Sequence, residues 1–273
     1  MTPVIQTTDG ARLHWEERGS GPLVVLATQF FAFPDVFEGM IADLERDHRV
    51  VTYDIRGAGR SSREGPYDMD TDADDLVAVI EAAGGPAVVI GMADGANRGV
   101  KAALRRPDLV LAIVTPGGNP VGRQAARGTD ALVESPSVLL ALVGLIETDY
   151  RSALRTMIET ANPQMTEEQA RERVDRVVDY CPQDIGAARL RAWIDEDSAD
   201  DARAVGDKLW ILSHESNAWF PAAVLDRTRE LLPEAHLEVV EDGPVSRPDL
   251  PASVVRRVFA QNRAAEQKAV ESG

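Results

Sequence analysis

The chain has 273 residues, 44% hydrophobic and 27% charged, which is enough apolar material for one sizeable core and too little length for two full domains. Its 45 acidic and 29 basic side chains give a net charge of −16 with no local cluster of Lys or Arg, which excludes the concentrated positive face that nucleic acid or an anionic membrane demands. Cys181 is the single cysteine, so an intrachain disulfide is excluded; "MTPVIQTTDG" lacks the pattern of a signal peptide, and the longest apolar run, "SVLLALVGLI" from Ser137, is about half of what a bilayer crossing needs. A cytoplasmic protein is expected.

Taken in order, short runs that are apolar at nearly every position occur at Leu23–Ala27, Val50–Tyr53, Ala87–Ile90, Leu109–Val114, Leu209–Leu212 and Leu237–Val240, the pattern of strands covered on both faces. Amphipathic stretches at Val36–Arg46, Asp72–Ala83, Ala96–Arg105, Pro221–Leu232 and Ser253–Glu266 have the length and period of helices. This alternation predicts an α/β fold with a doubly wound, mostly parallel sheet. Between about Val121 and Ala204 the pattern is helical almost throughout, and Thr166-Glu167-Glu168-Gln169 has the form of a capping box opening a helix toward Tyr180. Helices inserted between two strands of a parallel sheet are expected over the carboxyl ends of the strands, where ligands bind. Residues 1–120 and 205–273 are therefore expected to form the core, with a helical lid at 121–204, inserted after the sixth strand. The closing "RAAEQKAVESG" reads as a frayed or solvated tail.

The stretch "VVIGMADGANRG", Val88 to Gly99, has the small-residue spacing of a sharp strand-to-helix turn. The central residue of such a turn is strained, and the residues two before and two after it must be small because strand and helix nearly touch. Gly91 and Gly95 meet that condition around Ala93, whereas centring on Asp94 would place Met92 and Ala96 there. With "DGARLHWEERGSGPLVVLA" ahead of it, and with Asp54, Arg56, Gly57, Gly59 and Ser61 forming an Asp-x-Arg-Gly-x-Gly-x-Ser turn in "VVTYDIRGAGRSS", the chain resembles α/β-hydrolase-fold proteins of the esterase, epoxide-hydrolase and haloperoxidase-like kind. The resemblance runs over essentially the whole chain. It implies a nucleophile at the turn, an acid just past Leu209–Leu212 and a histidine after the last strand. Those positions hold Ala93, Asn217 and Val245, so a Ser-His-Asp triad is not expected. It also implies an anion-binding pair of backbone N–H groups at Phe30 and Asp94, with Thr28-Gln29 where relatives carry His-Gly.

Two other residues are candidates for chemistry. His214, at the end of a core strand, has an imidazole suited to proton transfer near neutrality, and Asp94 is a candidate acid or base that Arg98, one helical turn later, is placed to neutralise. His14 and His48 are expected to lie remote from the site, and His236 to be structural. Gln29, Phe30, Phe31, Ala93, Asn119, Asn217 and Trp219 are expected to line an apolar pocket for a small molecule, joined by Tyr180 and Cys181 from the lid. No metal-ligand spacing is present, no cofactor is implied, and the number of subunits is left open. The leading expectation is a cofactor-independent non-hydrolytic enzyme of cyclase, isomerase, lyase or dehydratase type. Two alternatives stay open: a non-catalytic ligand-binding or scaffold pseudo-hydrolase, and a hydrolase in which Asp94 and His214 activate water.

Overall fold

The computed structural model describes residues 4–129, 131, 136–162, 164–214, 222–241, 243 and 247–272. Eight strands form one sheet: β1 (Val4–Gln6), β2 (Arg12–Gly19), β3 (Leu23–Ala27), β4 (Arg49–Tyr53), β5 (Ala87–Gly91), β6 (Val110–Pro116), β7 (Leu209–His214) and β8 (His236–Val240). Their order across the sheet is β1-β2-β4-β3-β5-β6-β7-β8. The pairs β1·β2 and β2·β4 are antiparallel and all the others are parallel.

Side chains alternate across the strands, and both faces are covered. Val24, Leu26, Val50, Val88, Ile90, Val114 and Leu212 pack against α1 (Glu38–Leu44) and α11 (Asp249–Ser272). Val25, Ala27, Val51, Tyr53, Val89, Ile113 and Ile211 pack against α2 (Met69–Ala82) and α3 (Asp94–Arg105). The predicted doubly wound sheet is thus present. α2 starts earlier than its apolar period suggests, because Asp68 accepts the Thr71 N–H at 2.8 Å and caps it. The expected frayed tail differs too: α11 continues to Ser272, since the terminal Ala-, Glu- and Lys-rich stretch is itself a strong helix former.

Between β6 and β7 stand α4 (Gly122–Ala126), α5 (Pro136–Thr148), α6 (Tyr150–Ala161), α7 (Glu167–Tyr180), α8 (Gln183–Asp195) and α9 (Ala199–Val205). The capping box opens α7 as the sequence indicates, with Thr166 and Gln169 bonded reciprocally. These helices are joined to the core by charge as well as by apolar packing. Arg189 of α8, 1% exposed, donates to the Asp72 carboxylate of α2 and to the Arg56 carbonyl. Arg56 in turn donates to Asp75 at 2.9 and 2.6 Å and also pairs with Asp9. Among the described residues no helix is long and apolar enough to cross a membrane.

Removing one partner of a buried ion pair leaves the other charge uncompensated, at a cost of about 3–5 kcal/mol. Arg189→Met is accordingly expected to lower the urea unfolding free energy by about that amount. Adding Asp72→Asn should restore most of it, and failure of the double variant to recover would show that packing, not charge, dominates there.

Candidate functional site: the β5–α3 turn and its surroundings

The turn expected from "GMADG" is built as backbone sterics require. Ala93 has φ 47° and ψ −116°, and it alone among the described non-glycine residues has a positive φ. Such a conformation costs on the order of 1–3 kcal/mol and persists only where its surroundings enforce it. The enforcement is close approach on two sides. A side chain on Gly91 would begin 2.6 Å from the Gly95 carbonyl oxygen, and one on Gly95 would begin 2.0 Å from that of Ala27. Met92 donates to the Ala27 carbonyl at 3.0 Å, binding the turn to β3, while the Met92 side chain is buried with the α1 and α11 core. Gly118, after β6, lies against the Ala93 backbone, where an added Cβ would be 3.1 Å from its nitrogen.

Asp94 is the first residue of α3, so its N–H is among those a helix start leaves without an intrahelical acceptor. Asp94 is only 2% exposed. One carboxylate oxygen accepts the Phe30 N–H at 3.4 Å and the other pairs with Arg98. Burial pushes the Asp94 carboxyl upward, against the pull of the Arg98 guanidinium. Both oxygens of Asp94, the candidate acid or base, are thus engaged inside the protein. The anticipated partnership with Arg98 is present, and Arg98 additionally donates to the Thr28 carbonyl, a contact that helical spacing alone does not reveal.

His214 ends β7, opposite Val240, and lines a small cleft with Leu212, Gly243, Arg247 and Pro251. Gly243 approaches the ring closely, a Cβ there being 3.4 Å from Nε2. Asp94 is not among the residues that line this cleft. Gln29 is half-buried and its carbonyl accepts the Ala32 N–H at 3.0 Å. Phe30 and Phe31 are buried with ring centroids 4.3 Å apart, and Phe31 reaches toward Tyr150 of α6 at 6.4 Å.

Asn119, expected in the pocket wall, is bonded within the protein. Its Nδ2 donates to Thr228 Oγ1 at 2.8 Å and its Oδ1 accepts the Val121 N–H at 3.1 Å, so it ties the loop after β6 to α10 (Ala222–Leu231). Asn217, Trp219 and Val245 lie outside the described residues. Tyr180 stands edge-on to Phe33, with centroids 6.2 Å apart, and Cys181 is fully buried, its carbonyl accepting from Tyr150 at 2.8 Å. Burial pushes the Cys181 thiol up to about 11.

The Asp-x-Arg-Gly-x-Gly-x-Ser turn is structural in detail. Asp54 accepts the Arg60 N–H at 3.0 Å beneath Gly59, where any Cβ would strike its carboxylate, and Ser61 bonds the Asp54 carbonyl and the His14 N–H. His14 and Asp54 are 3.4 Å apart, His48 packs on Phe259, and His236 stacks on Trp210 at 3.8 Å.

The chain matches a known family model, described as alpha/beta hydrolase fold, over residues 22–156. The chain has the α/β-hydrolase fold. Among solved α/β-hydrolase-fold structures, it is similar to an esterase, EaEST, from Exiguobacterium antarcticum, with a TM-score of 0.82 at 23% identity over 95% of this chain and 100% of that one. Two curated relatives match along most of their length. One is 2-(acetamidomethylene)succinate hydrolase of Mesorhizobium japonicum, 27% identical over 84% of this chain and 83% of the relative. The other is a putative carbamate hydrolase, RutD, of Caulobacter vibrioides, 28% identical over 88% and 90%. These relatives are hydrolases by name, which overturns the leading expectation of a cyclase, isomerase, lyase or dehydratase and also the pseudo-hydrolase alternative. That expectation converted a missing side-chain oxygen into a change of reaction class, and the relatives give no support to that step.

Three outcomes check this geometry. Gly95→Ala is expected to cost more than about 4 kcal/mol or to abolish soluble expression, because the Ala27 carbonyl cannot yield. Gly144→Ala, where nothing lies within 4 Å of the added carbon, should gain up to about 1 kcal/mol from helix propensity. At pH 8 the native Cys181 thiol should resist a thiol reagent and react with one equivalent after denaturation; rapid native labelling would contradict its burial.

Proposed function

We propose that this chain is a hydrolase that cleaves an acyl bond of a small organic molecule by direct attack of water, without a covalent enzyme intermediate. The carrying observation is the β5–α3 turn: its strained backbone is kept although Ala93 offers no nucleophilic atom. An elbow held at such a cost is retained for its backbone, which sets the Asp94 N–H at the start of α3, while the Asp94 carboxylate accepts the Phe30 N–H. The names of the relatives support hydrolysis of a carbonyl-centred bond, and esters, amides and carbamates share the anionic tetrahedral intermediate that such donors stabilise.

In this reading Ala93 leaves room for water where a serine oxygen would stand. Asn217 and Val245, at the sequence positions implied for the acid and the histidine, supply no charge relay. His214 takes the proton from water as it attacks the carbonyl carbon, and returns it to the leaving group as the carbon–oxygen or carbon–nitrogen bond breaks. The helices from α4 to α9 serve as the lid over this site, with Phe30, Phe31 and Gln29 in its wall. Acyl hydrolysis by water asks for no cofactor.

Stopped-flow hydrolysis of a panel of p-nitrophenyl esters, carbamates and lactones tests this. Turnover is expected without a burst and without inhibition by serine-directed phosphonates, and His214→Ala should lower kcat by about 10²-fold or more. Ala93→Ser should add little, since its hydroxyl would lack a relay. A burst equal to the enzyme concentration, stoichiometric phosphonate labelling, or absence of turnover across the panel would sink the proposal.

A further inference from the structure

We infer that Arg98 is a positioning residue that holds the Phe30 segment and the Asp94 turn in register. The inference rests on the hydrolytic reading for its kinetic consequence, but its structural content stands on the contacts themselves. One guanidinium nitrogen, Nη2, donates both to the Thr28 carbonyl and to the Asp94 carboxylate. The other Asp94 oxygen accepts the Phe30 N–H at 3.4 Å. A closed circuit results, running from Arg98 through Thr28 and Gln29 to Phe30, across to Asp94, and back to Arg98.

The circuit lies where the sheet stops holding the chain. Pairing of β3 with β5 ends at Ala27 opposite Gly91, and the Met92 N–H to Ala27 carbonyl bond adds the last rung. Past that point Arg98 carries the lock forward by way of Thr28. The residue is fully buried, and its Nε and Nη1 find no acceptor among the described residues. If neutralising Asp94 were the only requirement, an apolar pair of similar volume would serve at no greater cost. What an apolar pair lacks is a donor for the Thr28 carbonyl, and with it any grip on the Phe30 segment. Lysine differs as well, because its freely rotating ammonium on a flexible stem does not fix the directions of its N–H bonds as the planar guanidinium fixes the two on Nη2.

Two variants separate positioning from charge balance. Arg98→Lys keeps the positive charge; Arg98→Met with Asp94→Asn removes both charges together. Each is checked for folding by circular dichroism, then assayed for hydrolysis and for amide hydrogen exchange over residues 28–33. Positioning predicts that both variants fold, that kcat falls by about tenfold or more with KM little changed, as for loss of an oxyanion donor, and that exchange over 28–33 speeds up while the β5 amides stay protected. Unchanged kcat and unchanged exchange in the folded double variant would overturn the inference, leaving Arg98 as a counter-charge for Asp94. If neither variant folds, the residue is structural and the positioning role is likewise overturned. Should the unaltered protein show no turnover, the hydrolytic reading fails while the exchange measurement still decides the role of Arg98.

Discussion

At the crossing of α3 over the ends of β3 and β5, the Ala27 carbonyl oxygen stands 2.0 Å from where a side chain on Gly95 would begin. This contact sets the height of the helix above the sheet and forces the chain through Ala93 at a positive φ. It also brings the first N–H groups of α3 to the carboxyl edge of the sheet. Close packing of this kind has few alternative solutions, so substitution at the central position leaves the backbone path intact while substitution at either flanking glycine does not.

Around that crossing the protein places a set of buried charges, one of which reaches an exposed carboxylate at Asp9. Asp94 and Arg98 pair beneath the turn, Asp72 and Arg189 join α2 to α8, and Arg56 links Asp75 with Asp9. Buried pairs gain little over apolar packing and lose much when broken, so their value lies in admitting one arrangement only. The Asp72–Arg189 and Arg56–Asp75 pairs span separate elements that apolar contacts would allow to slide, and Arg98, paired within α3, reaches across to the Thr28 carbonyl. The position of α8 relative to the Asp54–Ser61 turn, and of the Phe30 segment relative to α3, is therefore fixed by direction-dependent bonds.

Most of the fold was legible before any coordinates. Fully apolar runs such as Leu23–Ala27 and Ala87–Ile90 have few readings besides a strand buried on both faces, and the Gly91-x-Ala93-x-Gly95 spacing determines its own register by sterics. Asp94 with Arg98 was legible as a helical pair because i,i+4 neighbours meet. The rest depended on contacts between distant segments. Arg189 is one of many arginines, and only the fold reveals that Asp72 and the Arg56 carbonyl await it. Asn119 reads as a pocket amide from its place at a strand end, yet Thr228, far along the chain, takes up its donor. Reaction class was least legible of all: the vacancy at Ala93 is local, whereas what a site still does depends on every group that converges there.

The last strand carries one more consequence. β8, five residues long, lies at one end of the sheet order and shows Val239 to solvent at 44% exposure. A terminal strand invites a second chain to extend the sheet by pairing edge to edge. Glu238, bonded to Arg257 of α11, and the Arg257 guanidinium lying 4.8 Å from the Trp210 ring centroid place charge beside that edge. An incoming strand would have to desolvate this pair to add itself, so the same contacts that dock the terminal helix also work against intermolecular sheet growth and favour colloidal stability.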